Sequence, residues 1–165
     1  MSILYLVLHT ANQHANFGLR IINNQIVAMQ PLRAAMSGIR DDQHFTYRLI
    51  DYYNDYFNFL AHASEQLEME NIELIEAVRH EPPQDVIEVT ELRWTSLNGI
   101  SLPHRRSQHD AIPKFLFGQY REENSRYKIP LAIEVHQGLV DGSHIGEYLN
   151  ALQGQLDKPA MMLYT

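Results

Sequence analysis

Near the C-terminus a histidine precedes an Asp-Gly step, in the stretch "IEVHQGLVDGSH" from Ile133 to His144. Histidine is the side chain whose charge changes near neutral pH, which makes it a common general base. A base must lie within hydrogen-bond reach of the proton that it takes. The stretch therefore raises the question of whether His136 and Asp141 form a catalytic site or the remains of one.

The residue types argue against several other chemistries. The chain has no cysteine, which excludes a disulfide framework, a cysteine nucleophile and thiolate metal ligands. Its nine histidines are scattered, and no H-E-x-x-H or H-x-x-x-H pattern falls on a predicted helix, so we expect no metal site. The phosphate-binding loops G-x-x-x-x-G-K-[ST] and G-x-G-x-x-G are absent, as is the G-x-S-x-G elbow.

Composition and charge point to one ordinary globular domain. The chain has 165 residues, of which 45% are hydrophobic and 20% charged. Its net charge of -7 disfavours nucleic acid as a partner, because phosphates need Lys and Arg. The longest apolar run, Ile3 to Leu8, is far too short to span a membrane. We therefore expect a cytoplasmic protein that binds neither nucleic acid nor membrane.

The elements that must position the Ile133–His144 stretch are a mixture of strands and helices. The segments "GLRII" and "QIVAM" predict two strands joined at Asn23–Asn24, residues that tolerate positive φ. Three further strands are predicted by the segments "DVIEVTELRW", "AIPKFLFGQY" and "YKIPLAIEV", with "REENSR" as the turn between the last two.

Helical spacing is strongest from Asp51 to Arg79, where apolar residues recur at three- and four-residue steps until Pro82. A second helix follows the Asp-Gly step, with its apolar stripe formed by Ile145, Tyr148, Leu149 and Leu152. The run Ile3–Ala11 fits either a buried strand or a buried helix.

Several of these stretches resemble the chloramphenicol acetyltransferase family. "HQGLVDGSHIGEYLNALQ" is similar to the family's C-terminal HHxxxDGxH segment, and "ELRWTSLNGISL" is similar to its ALPW segment. "GQYREENSRYKIPLAIEVH" keeps the family's spacing without a gap, and "NFGLRIINNQIVAMQ" resembles the strand pair after its first long helix. The resemblance implies an α/β fold, a two-layer sandwich with a mixed β-sheet.

The family's chemistry uses a histidine four residues before the Asp-Gly aspartate as general base. That base deprotonates the acceptor hydroxyl, which attacks the acetyl thioester of coenzyme A, and a serine hydroxyl helps to hold the oxyanion. The resemblance places Gln137 at the general-base position and Thr90 at the position of the serine. His136 stands one residue too early and matches the first histidine of the family's pair.

The change at the base position predicts a loss of activity. A glutamine amide has no useful basicity, and loss of a positioned base typically costs about 10²–10⁴-fold in rate. Successive residues of a strand point to opposite faces, so His136 is expected to point away unless the backbone shifts. His136 is thus a candidate substitute base, with His144 as another, while Thr90 can still donate to an oxyanion. The resemblance makes Asp141 and Gly142 structural.

We expect residues 1–165 to form a single chloramphenicol-acetyltransferase-like domain that lacks the family's N-terminal strand and helix. The arginine that pairs with the motif's aspartate belongs to that part of the family pattern. The favoured function is a degenerate, catalytically impaired member that acts as a binding or interaction module. The alternatives are an acetyl-CoA-dependent O-acetyltransferase and a relic without selected activity.

Ligands and partners follow from the same resemblance. No cofactor is expected to be bound obligatorily, and coenzyme A is the candidate ligand. We expect a homo-oligomer, a trimer by resemblance, or another protein that covers the sheet edge exposed by the shortened N-terminus.

Overall fold

Three α-helices and nine β-strands make up the described part of the chain, which in this computed structural model comprises residues 1–39, 45–68, 83–92 and 110–160. The helices are α1 (Ser2–Gln13), α2 (Tyr56–Glu68) and α3 (Gly142–Asp157), and a 3-10 turn spans Ala15–Gly18. The strands are β1 (Leu19–Ile22), β2 (Gln25–Ala28), β3 (Arg33–Ile39), β4 (Phe45–Ile50), β5 (Val86–Glu91), β6 (Lys114–Phe117), β7 (Arg121–Glu123), β8 (Arg126–Lys128) and β9 (Leu131–Glu134).

Five strands form a central sheet in the order β4-β3-β5-β6-β9. Strands β3, β5 and β6 run parallel to one another, and the two outer strands run antiparallel to their neighbours. The pairs β1–β2 and β7–β8 are separate two-stranded hairpins. The predicted mixed sheet and α/β class are confirmed.

The described helices pack on one face of this sheet. Because side chains alternate along a strand, Met36, Val89 and Phe115 lie on the helix-facing side, where they join the main core. The other face carries Ser37 and Thr90, and its smaller cluster of buried residues contains no helical residue. One layer of helices on one sheet is the predicted two-layer sandwich. That the whole chain is one domain stays a prediction.

Helix α1 resolves the ambiguity of the run Ile3–Ala11. All residues from Leu4 to Ala11 are buried, including His9 and Thr10. A helix that is apolar on all sides must be enclosed by other elements, and α1 contacts both α2 and α3. Periodicity alone cannot distinguish such a helix from a buried strand, because neither leaves a polar stripe.

The first predicted hairpin is confirmed. Asn23 and Asn24 have φ angles of 51° and 61° between β1 and β2. Met29 N–H donates to the Gly18 carbonyl at 2.8 Å where the hairpin closes. A β-carbon on Gly18 would collide with the Met29 carbonyl, so the hairpin requires glycine at that position.

The segment "REENSR" differs from its prediction as a plain turn. Only Asn124 and Ser125 turn, with φ angles of 52° and 59°, and the residues on either side pair as β7 and β8. The two predicted strands on either side exist as β6 and β9, which pair antiparallel with each other. A small extra hairpin therefore projects from their connection.

Helix α2 begins later than predicted. It starts at Tyr56 instead of Asp51, since the Asp55 carboxylate accepts a hydrogen bond from Asn58 N at 2.8 Å and serves as the N-cap. Residues 51–55 connect the helix to β4, a strand that the sequence pattern did not predict, as it did not predict β3. The predicted continuation to Arg79 covers residues 69–79, which lie outside the described residues.

Arg20 of β1 is fully buried and joins β1 to the central sheet. Its guanidinium donates to the carbonyls of Phe17, Leu19, Gln84, Val86 and Ala111. Burial lowers the pKa of Arg20 to about 10, a value at which the side chain remains charged at neutral pH. The starts of β5 and β6 are thereby held against the first hairpin.

Candidate functional site

The chain leaves the sheet at Glu134 and forms a tight turn over residues 136–139. The N–H groups of Leu139 and Val140 both donate to the His136 carbonyl, at 2.9 and 3.0 Å. Leu139 and Val140 are buried in the main core. The Asn16 amide also donates to the Leu139 carbonyl at 3.2 Å. Core packing and these bonds hold the turn in one conformation.

The His136 ring folds back on this turn. Its Nδ1 accepts the Gly138 N–H at 3.2 Å. A β-carbon on Gly138 would lie 3.1 Å from His136 Cε1, so glycine gives the ring the space it occupies. Since Nδ1 accepts, the neutral ring carries its proton on Nε2. In this tautomer the nitrogen that remains available, Nε2, is a donor and not a proton acceptor.

Gln137 is exposed and forms no hydrogen bond with the described part of the chain. The expected strand alternation does not govern residues 136 and 137, because β9 ends at Glu134 and both residues lie beyond it. The prediction that strand alternation sets the direction of His136 therefore assumed a strand that does not reach this residue. The turn itself, and not the pleat of a strand, directs the ring toward Gly138.

Asp141 is the N-cap of α3. Its Oδ1 accepts from Ser143 N at 2.9 Å, from Ser143 Oγ at 2.7 Å and from His144 N at 3.1 Å. These hydrogen bonds, the one from the Ser143 hydroxyl first, lower the pKa of Asp141. His144 Nδ1 lies 2.9 Å from Asp141 Oδ1 and 3.2 Å from Asp141 N, which completes a capping box.

Gly142 is the first residue of α3. A β-carbon there would meet nothing within 4 Å.

Thr90 lies near the C-terminal end of β5, on the sheet face away from the helices. Its Oγ1 is 2.8 Å from the Oγ of Ser37, which is its register partner on β3. Both side chains are half-buried, and neither has another hydrogen bond within the described residues. The sequence pattern did not single out Ser37, since the pairing of β3 with β5 brings together residues 53 positions apart.

Thr90 and the turn at 136–139 lie at opposite ends of the sheet. Thr90 pairs with Leu116, which pairs with Ala132 of β9. His136 comes four residues after Ala132, level with the start of β5. With about 3.3 Å per residue and about 4.8 Å between strands, Glu134, the last residue of β9, is roughly 12 Å from Thr90, and His136 lies two residues farther along the chain. Within one chain the strand register thus places the two positions apart.

A cavity of about 710 Å³ lies on the helix side of the sheet, between the start of α1, the end of α2 and the C-terminal ends of β5 and β6. Most of its lining is apolar, including Leu4, Met36, Leu67 and Phe117. Thr90, His136 and Gln137 do not line it. This cavity is thus separate from the predicted site residues.

Within the described residues, no group of three or more His, Asp or Glu side chains has the arrangement of a metal site. None of the described helices is long and apolar enough to cross a membrane.

The similarity to known proteins extends over most of the chain. Residues 1–153 match a family model described as chloramphenicol acetyltransferase. A chloramphenicol acetyltransferase of Campylobacter coli is 28% identical over 159 residues, which are 95% of this chain and 77% of the relative. One of Vibrio anguillarum is 27% identical over 156 residues, which are 92% of this chain and 71% of the relative.

Solved structures share the fold. A chloramphenicol acetyltransferase superposes with a TM-score of 0.81 at 19% identity, covering 93% of this chain and 75% of its own. The cubic core of the pyruvate dehydrogenase multienzyme complex superposes with a TM-score of 0.63 at 12% identity, covering 98% of this chain and 69% of its own.

Proposed function

The chain belongs to the chloramphenicol acetyltransferase family, and from that premise we propose that it is a catalytically impaired member that acts as a binding or interaction module. Its proposed small ligand is a coenzyme A thioester, by analogy with the family's donor substrate. Acetyl transfer to a hydroxyl acceptor is strongly reduced because the proton acceptor is missing.

The observation that carries this proposal is the side chain at the base position. Gln137 is exposed at that position, and its amide has no useful basicity. The neighbouring histidine does not replace the missing base, because the Nδ1 lone pair of His136 already accepts the Gly138 N–H. His144 is no better placed, since its Nδ1 is engaged at the α3 cap with Asp141.

We further propose that the protein is a homo-oligomer. The separation of Thr90 from the end of β9 within one chain, about 12 Å by strand spacings, supports this proposal. In the family's chemistry a base and an oxyanion donor must both lie about 3 Å from the reacting atoms. The trimer implied by the family resemblance, with its site between subunits, is an arrangement in which two copies bring these positions together. Sedimentation velocity at micromolar concentration tests this proposal, and a monomer there contradicts it.

One observation favours the alternative function, an acetyl-CoA-dependent O-acetyltransferase. Thr90 keeps a hydroxyl at the serine position, and the Ser37 hydroxyl lies 2.8 Å from it. A hydroxyl donor can stabilise an oxyanion even when the base is weak or absent. The two functions therefore share a thioester ligand and differ in whether a proton acceptor is present.

The test combines turnover and binding. Thiol release from acetyl-CoA with chloramphenicol is followed for the wild type and for His136→Asn, with the Campylobacter coli relative as positive control. We expect wild-type turnover several orders of magnitude below that of the relative, and measurable binding of coenzyme A by calorimetry. Turnover within tenfold of the relative contradicts the impaired function. Loss of such turnover in His136→Asn would establish the transferase instead, with His136 as its base.

A further inference from the structure

The hydroxyl pair formed by Ser37 and Thr90 has one hydrogen to spare. Two hydroxyls carry two hydrogens, and the 2.8 Å contact between them uses one. Neither hydroxyl has another partner among the described residues. The pair therefore offers one outward O–H donor, which suits a ligand group that only accepts hydrogen bonds, such as a carbonyl.

The neighbours in the same row of the sheet are large and buried. Tyr47 of β4 is the register partner of Ser37, and Leu116 of β6 is the register partner of Thr90. Tyr47 is 7% exposed and Leu116 is 1% exposed. Water has little access from either side, and a hydrogen bond in such surroundings is stronger than one in water.

Of the two possible donor directions within the pair, donation from Ser37 is the one that leaves the Thr90 hydroxyl hydrogen free for a ligand. When Ser37 donates to Thr90 Oγ1, the Thr90 O–H becomes a better donor, because linked hydrogen bonds polarise one another. Thr90 is also stiff at χ1, being β-branched, which fixes the position of its Oγ1. In that arrangement the Thr90 hydroxyl can donate an outward hydrogen bond to a ligand.

From this geometry we infer that Ser37 is a positioning residue that directs the Thr90 hydroxyl toward the carbonyl oxygen of an acyl thioester. The inference rests on the proposed function for the presence of that ligand. It goes beyond the proposed function because it assigns a role to a β3 residue that lies outside the family motifs.

The experiment compares two ligands that differ in the carbonyl. Acetyl-CoA carries the thioester carbonyl and coenzyme A does not, so the ratio of their dissociation constants isolates the contact. Calorimetry is performed on the wild type, Ser37→Ala, Ser37→Cys, Ser37→Thr and Thr90→Val. The carbonyl stretch of bound acetyl-CoA, labelled with ¹³C at the carbonyl, is recorded by infrared spectroscopy for the same proteins.

We expect Thr90→Val to weaken acetyl-CoA binding by about fivefold, the equivalent of one ordinary hydrogen bond, with coenzyme A binding unchanged. Ser37→Ala and Ser37→Cys should lose part of the same preference and shift the carbonyl band toward its frequency in free acetyl-CoA. Ser37→Thr should keep both properties, because it retains the hydroxyl. Ser37→Cys preserves the side-chain shape and serves if the alanine variant does not fold.

Three results overturn the inference, and they separate it from the proposed function. If both ligands bind but the Ser37 variants keep the wild-type ratio and band position, Ser37 has no positioning role. If Ser37→Ala weakens both ligands equally, its role is structural only. If the wild type binds neither ligand, both the inferred thioester contact and the coenzyme A ligand of the proposed function are contradicted.

Discussion

At position 137 a single amide occupies the place where the family's chemistry needs a base. Among the described residues, the neighbouring groups offer no free orienting partner for a histidine at that position. The Asp141 carboxylate, four residues later, is already bonded to Ser143 and His144 at the α3 cap. Gly138 N–H, the nearest backbone donor, is bonded to His136.

We predict that Gln137→His alone restores little acetyl transfer. The new imidazole would have a suitable pKa but an exposed position and no fixed partner, and unpositioned groups lose the large benefit of orientation. Thiol release with acetyl-CoA and chloramphenicol measures the effect, with Gln137→Asn as the matched non-basic control. A rise of more than about 100-fold over the control would mean that the base alone was missing.

Helix α3 depends on its N-cap. We predict that Asp141→Ala lowers the melting temperature, while Asp141→Asn keeps much of the stability because an amide oxygen can still accept from Ser143 and His144. The cap should also be sensitive to acid. The pKa of Asp141 is lowered in the folded chain, so its contribution is complete above the ordinary range for aspartate and is lost as pH falls through the lowered pKa.

Thermal unfolding between pH 3 and pH 7 measures both effects. The difference in melting temperature between the wild type and Asp141→Asn should become smaller as the pH is lowered toward 3. Equal melting temperatures of the wild type and Asp141→Ala at neutral pH would show that the cap contributes nothing.

The first hairpin and the central sheet depend on one buried guanidinium. We predict that Arg20→Met destabilises the protein by at least about 3 kcal/mol, because it leaves several buried carbonyls without a donor. Urea unfolding measures the loss, and Arg121→Met on the exposed strand β7 is the matched control. A loss no larger than that of the control contradicts the role of Arg20 as the link between these elements.

At the scale of the whole molecule, an aromatic and polar network around His9 joins α1 to the segment between β4 and α2. His9 is 7% exposed and lies between two partners, with Nε2 2.8 Å from the Gln13 amide nitrogen and Nδ1 2.9 Å from Tyr52 Oη. Gln13 donates a hydrogen bond to Nε2, so the ring proton is on Nδ1, which donates to Tyr52 Oη. The Tyr52 hydroxyl in turn donates to Asn54 Oδ1. The chain of bonds requires a neutral imidazole.

We predict that stability falls as pH is lowered below about 6.5, the ordinary value for histidine. Burial lowers the pKa of His9, so the unfolded chain binds the proton at a higher pH than the folded chain does. Between pH 5 and pH 7.5, the free energy of unfolding should rise with pH in the wild type. It should do the same in His62→Gln, which removes an exposed histidine. The slope should be reduced in His9→Gln, and an unchanged slope there contradicts the assignment.

Local patterns in the sequence determined several elements of this protein. The Asp-Gly step followed by a three- and four-residue apolar spacing predicted α3, whose Tyr148 and Leu152 are buried. The Asn-Asn step predicted the first hairpin because asparagine tolerates positive φ. The same motifs carried the family resemblance and the position of Gln137. Such signals are readable because capping, turn conformation and amphipathic spacing act over a few neighbouring residues.

Only the tertiary structure decided what depends on distant neighbours. Strand β3 has the sequence "RAAMSGI", in which alanine and glycine give weak strand propensity, and it forms because β4 and β5 pair with it. Helix α1 is identified by its enclosure, since it has no polar stripe. Ser37 meets Thr90, and the His136 ring returns to Gly138, through pairing and backbone geometry that residue types do not encode. These contacts depend on packing between residues far apart in the chain, and the spacing of residues within a short segment does not report on that packing.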